Sequence, residues 1–476
     1  MSKKSLISIL LALLIWAVDA LGQVQNHFIY DTDLMSPVVF RAHREKLMKE
    51  IGEGSVAFFF AAPERNRNND VEYQYRQNDN FYYLTGMGET NSVVALIPGG
   101  VNVRDPKDSS KTILVREILF VQPRDSAREV WVGRRLGPEG AMEVLGFQYA
   151  LKNDQFRSWV GRLILSSKIV YIPPLPHDDA GEIAELAKPL SDAGSRFDSW
   201  LEFRDPTHIV ATMRAVKSPE EISMIQKAVD ITCDAHRQAM MSAEPGMHEY
   251  ELQAIFEYVF RREGAEYTAY PCIVGGAENS VILHYSTNRR MLNSGDIVVM
   301  DCAAEYHSYA ADVTRTIPIN GTFTDAQREI YELVLQAQQE AIKMMRPGAD
   351  FQADVQRRAV EVIQTGLMNL GIIKSKDEYK NFLPHGVGHP VGLWVHDVGG
   401  QGKLEPGMVW TIEPGIYIPD GAPGVDPKYY NTGVRIEDDV LITENGNKVM
   451  SAAAPKTVEE IERLMKKRGI GNEPIR

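Results

Sequence analysis

Residues 382–398 read FLPHGVGHPVGLWVHDV, and three histidines, His385, His389 and His396, are threaded through this short run of glycines and valines. On a helix, His385 and His389 would share a face, with His396 one heptad beyond His389. Gly386, Gly388 and Gly392, together with Pro384 and Pro390, argue against a helix. The pattern predicts a glycine-rich turn leading into a short buried strand over Val391–Val395. On a strand alternate side chains share a face, so His389 and His396 would point opposite ways unless a bulge intervenes. The three histidines need not be ligands of one ion. What each does depends on the acids that share its site.

The chain has 476 residues, 44% hydrophobic and 24% charged. That is ordinary for a soluble globular protein and too long for one compact core, so two domains are expected. The formal net charge is −13. Lys3, Lys4 and Asp19 give residues 1–22 a net +1, so the remainder stands at −14. An acidic chain is a poor nucleic-acid binder but well supplied with carboxylates for cations. Lys3 and Lys4 precede an apolar run from Leu6 to Val18, closed by Ala20-Leu21-Gly22. This predicts a cleaved signal peptide over 1–22, and hence a periplasmic or secreted protein. The run is shorter than the ~20 residues that span a bilayer, so no stable membrane anchor is expected. Cys233, Cys272 and Cys302 are too few for a disulfide framework and lack zinc-ligand spacing, so all three are read as core.

Residues before about 205 mix strand-like runs (Val56–Ala61, Ser92–Ile97, Thr112–Val121, Lys168–Ile172) with helical patches (His43–Ile51, Ala180–Leu190), which predicts an α/β domain. At Lys217-Ser218-Pro219-Glu220-Glu221-Ile222 the pattern changes. Ser218 is a helix N-cap, Pro219 suits the first helical position, and Glu221 completes a capping box. Domains are therefore expected over 27–205 and 206–476. The second carries an internal repeat. A helix ending near Ala243 meets Pro245-Gly246 and a helix over His248–Arg262; a helix over Asp325–Met345 meets Pro347-Gly348 and a helix over Phe351–Leu370. Each pair is followed by strands and by an acid- or histidine-bearing motif, so two similar halves should enclose a cleft.

The acids lie on the strands. IVVMDCAAEYHSYAADVTRTIPI (297–319) reads as a β-hairpin, and a turn centred on Tyr306-His307 would place Asp301 opposite Asp312. Two half-buried carboxylates facing each other require something positive between them. Glu413 ends the apolar strand MVWTI (408–412) at Pro414-Gly415. Glu437 shares a strand face with Arg435 in GVRIEDDVLIT (433–443). Four strand carboxylates and a histidine suit hard or borderline cations such as Mn²⁺, with Co²⁺ or Zn²⁺ possible. Two dications would balance four carboxylates.

In that order, Asp301, Asp312, His389, Glu413 and Glu437 resemble the five-ligand dimetal site of the creatinase/aminopeptidase "pita-bread" fold. With YQYRQNDNFYYLTG (73–86), EVWVGRRLG (129–137), KSPEEI (217–222) and HGVGHPVGLWVHDVG (385–399), the resemblance is to the aminopeptidase P family and covers nearly the whole chain. It implies a creatinase-like α/β domain followed by a pita-bread metallopeptidase domain. It implies a hydrolase that removes an N-terminal residue preceding proline, and a homo-oligomer, dimer or tetramer. Asp312 and Glu437 would bridge two metal ions, Asp301 would bind one, and His389 and Glu413 the other. A metal-bridging hydroxide would attack the scissile carbonyl, with Glu413 as proton acceptor. His284, His385 and His396 would hydrogen-bond the substrate and steady the tetrahedral intermediate. Arg435 would balance the acidic cluster, and Trp131 resembles an aromatic that reaches substrate pockets across a subunit contact, with core packing the alternative. Pro390 and Trp394 occupy variable slots of the histidine motif. Prolidase, which takes only Xaa-Pro dipeptides, uses the same metals and is not separated by these motifs. A non-catalytic pita-bread module would be expected to lose ligands, and all five are present.

Overall fold

The computed structural model describes residues 32–174, 201–400 and 402–472. The segment 1–22, expected to be a signal peptide, and the expected helical patch Ala180–Leu190 lie outside the described residues. The chain divides into two compact units, Met1–Val210 and Ala211–Arg476.

The first unit is built on a six-stranded mixed sheet. Its spatial order is Ala150–Lys152, Thr112–Val121, Val93–Arg104, Ser55–Phe60, Ile169–Tyr171 and Glu202–Arg204. The strand over Ser55–Phe60 is buried throughout, running antiparallel to Val93–Arg104 and parallel to Ile169–Tyr171. On one side Phe58, Phe60 and Phe120 meet Phe156 edge to face, with ring centroids 5.1 to 6.2 Å apart. The first helix begins at Pro37 rather than His43, because Ser36 caps it and Val39 and Phe40 extend its buried face. Trp131 lies on the helix Ser126–Val132 and is 87% exposed, which rules out core packing as its role.

In the second unit the capping box forms as expected. Ser218 Oγ accepts the Glu221 N–H at 3.2 Å, and the Glu221 carboxylate accepts the Ser218 N–H at 2.9 Å. The helix they start runs Pro219–Ser242, followed by Glu249–Arg262. The repeat follows as Asp325–Ile342, a π-helical turn Phe351–Gln356 and the helix Arg357–Asn369. The two Pro-Gly corners are held alike. Gly246 N–H donates to Leu292 O and Gly348 N–H to Leu404 O, both at 2.8 Å. Leu292 N–H returns to Met247 O and Leu404 N–H to Ala349 O. Each half adds a three-stranded sheet: Ile273–Gly276, Ile297–Asp301 and Thr314–Pro318 in the first, Val409–Ile412, Asp438–Thr443 and Gly446–Val449 in the second.

Two expectations are corrected. The hairpin turn falls on His307 and Ser308, whose φ values of 46° and 67° give the left-handed two-residue turn that matches strand twist. Tyr306 therefore pairs with Tyr309 and Asp301 with Thr314, not with Asp312. Val391–Val395 is not a strand; a single antiparallel bridge joins Pro390 to Trp410, and the chain then bends through residues 392–396. Cys233, Cys272 and Cys302 are free and buried.

Behind the sheets lies a fully buried ion pair. Arg315 Nη2 donates to Asp438 Oδ1 at 2.7 Å, and its other N–H groups reach the carbonyls of Thr314, Glu437, Ala454 and Pro455. Asp438 also accepts from Ser451, Gln338 and Lys456. Burial opposes its charge, yet Arg315 and Lys456 hold its carboxyl well below the usual carboxylate range. Its contribution to stability is therefore complete above the unfolded pKa of ~3.9 and lost as pH falls towards the folded value. Arg315→Met leaves a buried carboxylate short of its main partner and should cost about 3–5 kcal/mol in urea unfolding. A loss below ~1 kcal/mol would show that the pair carries little of the fold.

Candidate metal centre

The histidine stretch is shaped by the strand beside it. Glu413 N–H donates to Val387 O, Thr411 N–H to His389 O and Val391 N–H to Val409 O, at 2.8 to 3.0 Å. Gly388 has to be glycine there, since a Cβ would strike the Thr411 carbonyl. His389 N–H is also taken by Thr411 Oγ1 at 3.0 Å. Past Pro390 the chain turns back, closed by Asp397 N–H to Pro390 O at 2.8 Å. This fold-back brings the His396 ring to within 3.9 Å of the His389 ring, centroid to centroid. The two histidines that a strand would have separated lie side by side, their ring planes tilted by 44°. His385 stands apart, with Nε2 2.9 Å from Tyr417 Oη and Nδ1 3.8 Å from Glu413 Oε2.

Asp301, Asp312, His389, Glu413 and Glu437 all line one cavity of about 590 Å³, with His284, His385, His396 and Arg435 around them. His389 Nε2 lies 3.4 Å from Asp312 Oδ2 and 3.6 Å from Glu413 Oε1. One ligand atom from each of Asp312, His389 and Glu437 falls within 4.8 Å of the others. Trp131, in the first unit, is not among the residues of this cavity.

The cluster is short of positive charge. Arg435 Nη2 donates to Asp301 Oδ2 at 2.6 Å, and Nη1 to Tyr417 Oη at 2.9 Å. Tyr270 Oη sits 2.5 Å from Asp301 Oδ1 and 2.6 Å from Asp312 Oδ1, and one hydroxyl proton cannot satisfy both. Burial pushes Glu437 well above the usual carboxylate range, helped by the charges of Asp312, Glu413 and Asp301. Burial likewise raises Glu413 to about 7, against the pull of His389. It raises Asp301 too, despite Arg435. Burial opposes charge on His389, but Asp312 and Glu413 outweigh it and lift the ring to about 9. Carboxylates crowded together out of water in this way call for a cation among them. Four carboxylates and one imidazole suit hard or borderline divalent ions, and Asp301, Asp312, His389, Glu413 and Glu437 would hold them.

Four contributors escape a reading of the sequence. Tyr270 and Tyr417 carry no periodic or motif signal. Thr314 Oγ1 donates to Glu437 Oε2 at 2.7 Å from what reads as ordinary strand. Asp439, whose carboxylate accepts the Asp312 N–H at 2.9 Å, looks like the polar end of EDD.

The family model for metallopeptidase family M24 matches residues 223–444, and that for the aminopeptidase P N-terminal domain matches 40–171. Xaa-Pro aminopeptidase of Escherichia coli (strain K12) is 40% identical over 443 residues, 90% of this chain and 97% of the relative. The chain belongs to metallopeptidase family M24. Among solved structures, E. coli aminopeptidase P with the inhibitor Pro-Leu superposes at a TM-score of 0.82 and 40% identity, covering 91% of this chain and 98% of that one. Zinc-substituted E. coli aminopeptidase P in complex with product also gives 0.82, at 39% identity and 92% and 100% coverage. Both domains of this M24 chain match, and the site is a divalent-metal site.

Metal analysis of single variants tests the grouping. Asp312→Ala and His389→Ala should each lose bound metal together with activity, because each removes a ligand. His396→Ala should keep its metal. Equal metal loss in all three would make His396 a ligand as well and would contradict the division of labour between it and His389.

Proposed function

We propose that this chain is a dimetal-dependent Xaa-Pro aminopeptidase, hydrolysing the bond between an N-terminal residue and a following proline. The convergence of Asp301, Asp312, His389, Glu413 and Glu437 on one cavity carries the reading, in a chain whose 40% identical relative is named for that activity. Mn²⁺ is the metal we favour, from the oxygen-rich donor set. Divalent ions held by these five residues supply Lewis acidity and an activated water.

The chain's own residues do the rest. Asp312 and Glu437, whose ligand atoms lie within 4.8 Å of each other and of His389, would hold the ions together with Asp301, His389 and Glu413. Glu413 is the group to take the proton from the attacking water and return it to the leaving proline nitrogen, since it lines the cavity with Oε1 3.6 Å from His389 Nε2. His396 and His284 line the cavity with polar ring nitrogens. They are assigned to the carbonyl oxygen, where a hydrogen bond strengthens as negative charge develops. Burial lowers the His385 ring to about 4, so it stays neutral; we place it on the proline side, oriented by Tyr417. Arg435 fixes Asp301 and limits the charge of the cluster.

The apolar N-terminal run supports export to a periplasmic or secreted location. Among the described residues no helix is long and apolar enough to cross a membrane. The exposed ridge Val130-Trp131-Val132 supports a homo-oligomer in which a second copy covers it.

Purified protein lacking residues 1–22 and loaded with Mn²⁺ should release the first residue of Xaa-Pro-Xaa peptides. It should turn over Xaa-Pro dipeptides at least about 10-fold less efficiently in kcat/KM, a ~1.4 kcal/mol difference. Preference for dipeptides would make it a prolidase, and cleavage of neither would end the peptidase reading.

A further inference from the structure

The Asp397 carboxylate is enclosed by two cations. Its Oδ1 lies 2.5 Å from Arg214 Nη2 and its Oδ2 3.1 Å from Lys217 Nζ, and all three side chains are 2% exposed or less. A stabilising buried pair needs one cation. A second adds a desolvation cost that a one-to-one pair avoids. With a cation on each oxygen, however, the carboxylate can neither rotate nor slide.

The two cations are themselves fixed. Arg214 lies in the helix Thr207–Ala215 and packs over the Trp394 ring at 4.9 Å. Lys217 stands beside the Ser218 cap, and its N–H is taken by Gly407 O at 3.0 Å. The loop is closed around the triad. Asp397 N–H bonds Pro390 O, and Gly392 O accepts the N–H of Ala310, on the hairpin that carries Asp312. Gly392 cannot bear a side chain, because a Cβ would meet the Asp397 carboxylate and the Lys217 stem.

His396, the preceding residue, is exposed. Among the described residues no hydrogen bond fixes its ring, which lies tilted against His389 at 3.9 Å between centroids. An exposed imidazole on a loop explores several rotamers unless its backbone is pinned, and a carbonyl-oxygen donor must be placed to within a fraction of an ångström.

We propose that Asp397, clamped between Arg214 and Lys217, is a positioning residue that sets His396 beside the metal centre. The inference rests on the role assigned to His396 above. Asp397 touches neither substrate nor metal; it acts through the histidine that precedes it.

A double-mutant cycle on the Mn²⁺-loaded protein tests this, with metal content, kcat and KM measured for Asp397→Asn, His396→Ala and the double variant. Asp397→Asn should keep its metal and lose on the order of 10- to 100-fold in kcat. In the His396→Ala background the same change should cost less than about 3-fold, because the group it positions is gone. Equal losses in both backgrounds, or no loss in either, would overturn the inference and leave the triad as loop support. If His396→Ala alone leaves kcat unchanged, the role of His396 fails and this inference falls with it. Should Asp397→Asn not fold, Lys217→Met, which preserves a neutral Arg214–Asp397 pair, goes through the same cycle under the same criteria.

Discussion

Four carboxyl groups converge on one largely buried cavity in which one guanidinium, that of Arg435, stands against them. Buried like charges at this spacing repel strongly, and a chain that folds around them must neutralise them by protons or by cations. Burial and mutual repulsion hold the carboxyls of Glu437, Glu413 and Asp301 above the usual carboxylate range. The surrounding architecture makes sense as the means of holding this repulsive set in place.

Those means come from both halves of the second unit. The first half brings Asp301 and Asp312 on its hairpin and His284 from the stretch that precedes it. The second brings the histidine loop, Glu413 and Glu437. The halves are joined where Thr314–Pro318 meets Thr432–Glu437. Glu437 N–H donates to Thr314 O, Thr314 Oγ1 to the Glu437 carboxylate, and Thr316 Oγ1 to Arg435 O. Arg315 and Asp438 satisfy each other and the carbonyls around them, so every guanidinium N–H of Arg315 is paired. The neighbours of the ligands thus stabilise the seam, while the ligands themselves repel one another.

Much of this is written locally in the chain. The capping box at Ser218, the two Pro-Gly corners and the apolar strands ending in acids are short-range signals, and each formed as read. What was not legible depends on register or on long-range contact. The hairpin could not be placed to within two residues, because the left-handed turn at His307-Ser308 uses neither glycine nor asparagine. The run Val391–Val395 is apolar enough for a strand, but the Asp397 triad and the Pro390 carbonyl fold it into a loop. Tyr270 and Tyr417 become part of the site through contacts with residues far away in sequence, which no periodicity announces.

The central claim is that the carboxyl cluster exists to hold two divalent ions. Anomalous diffraction from crystals of the Mn²⁺-loaded protein, collected above the manganese edge, reads this directly. Two peaks should appear in the cavity, with oxygens of Asp312 and Glu437 between them and His389 and Glu413 on one of the two. A single peak, or peaks that leave Asp312 and Glu437 uncoordinated, would contradict it.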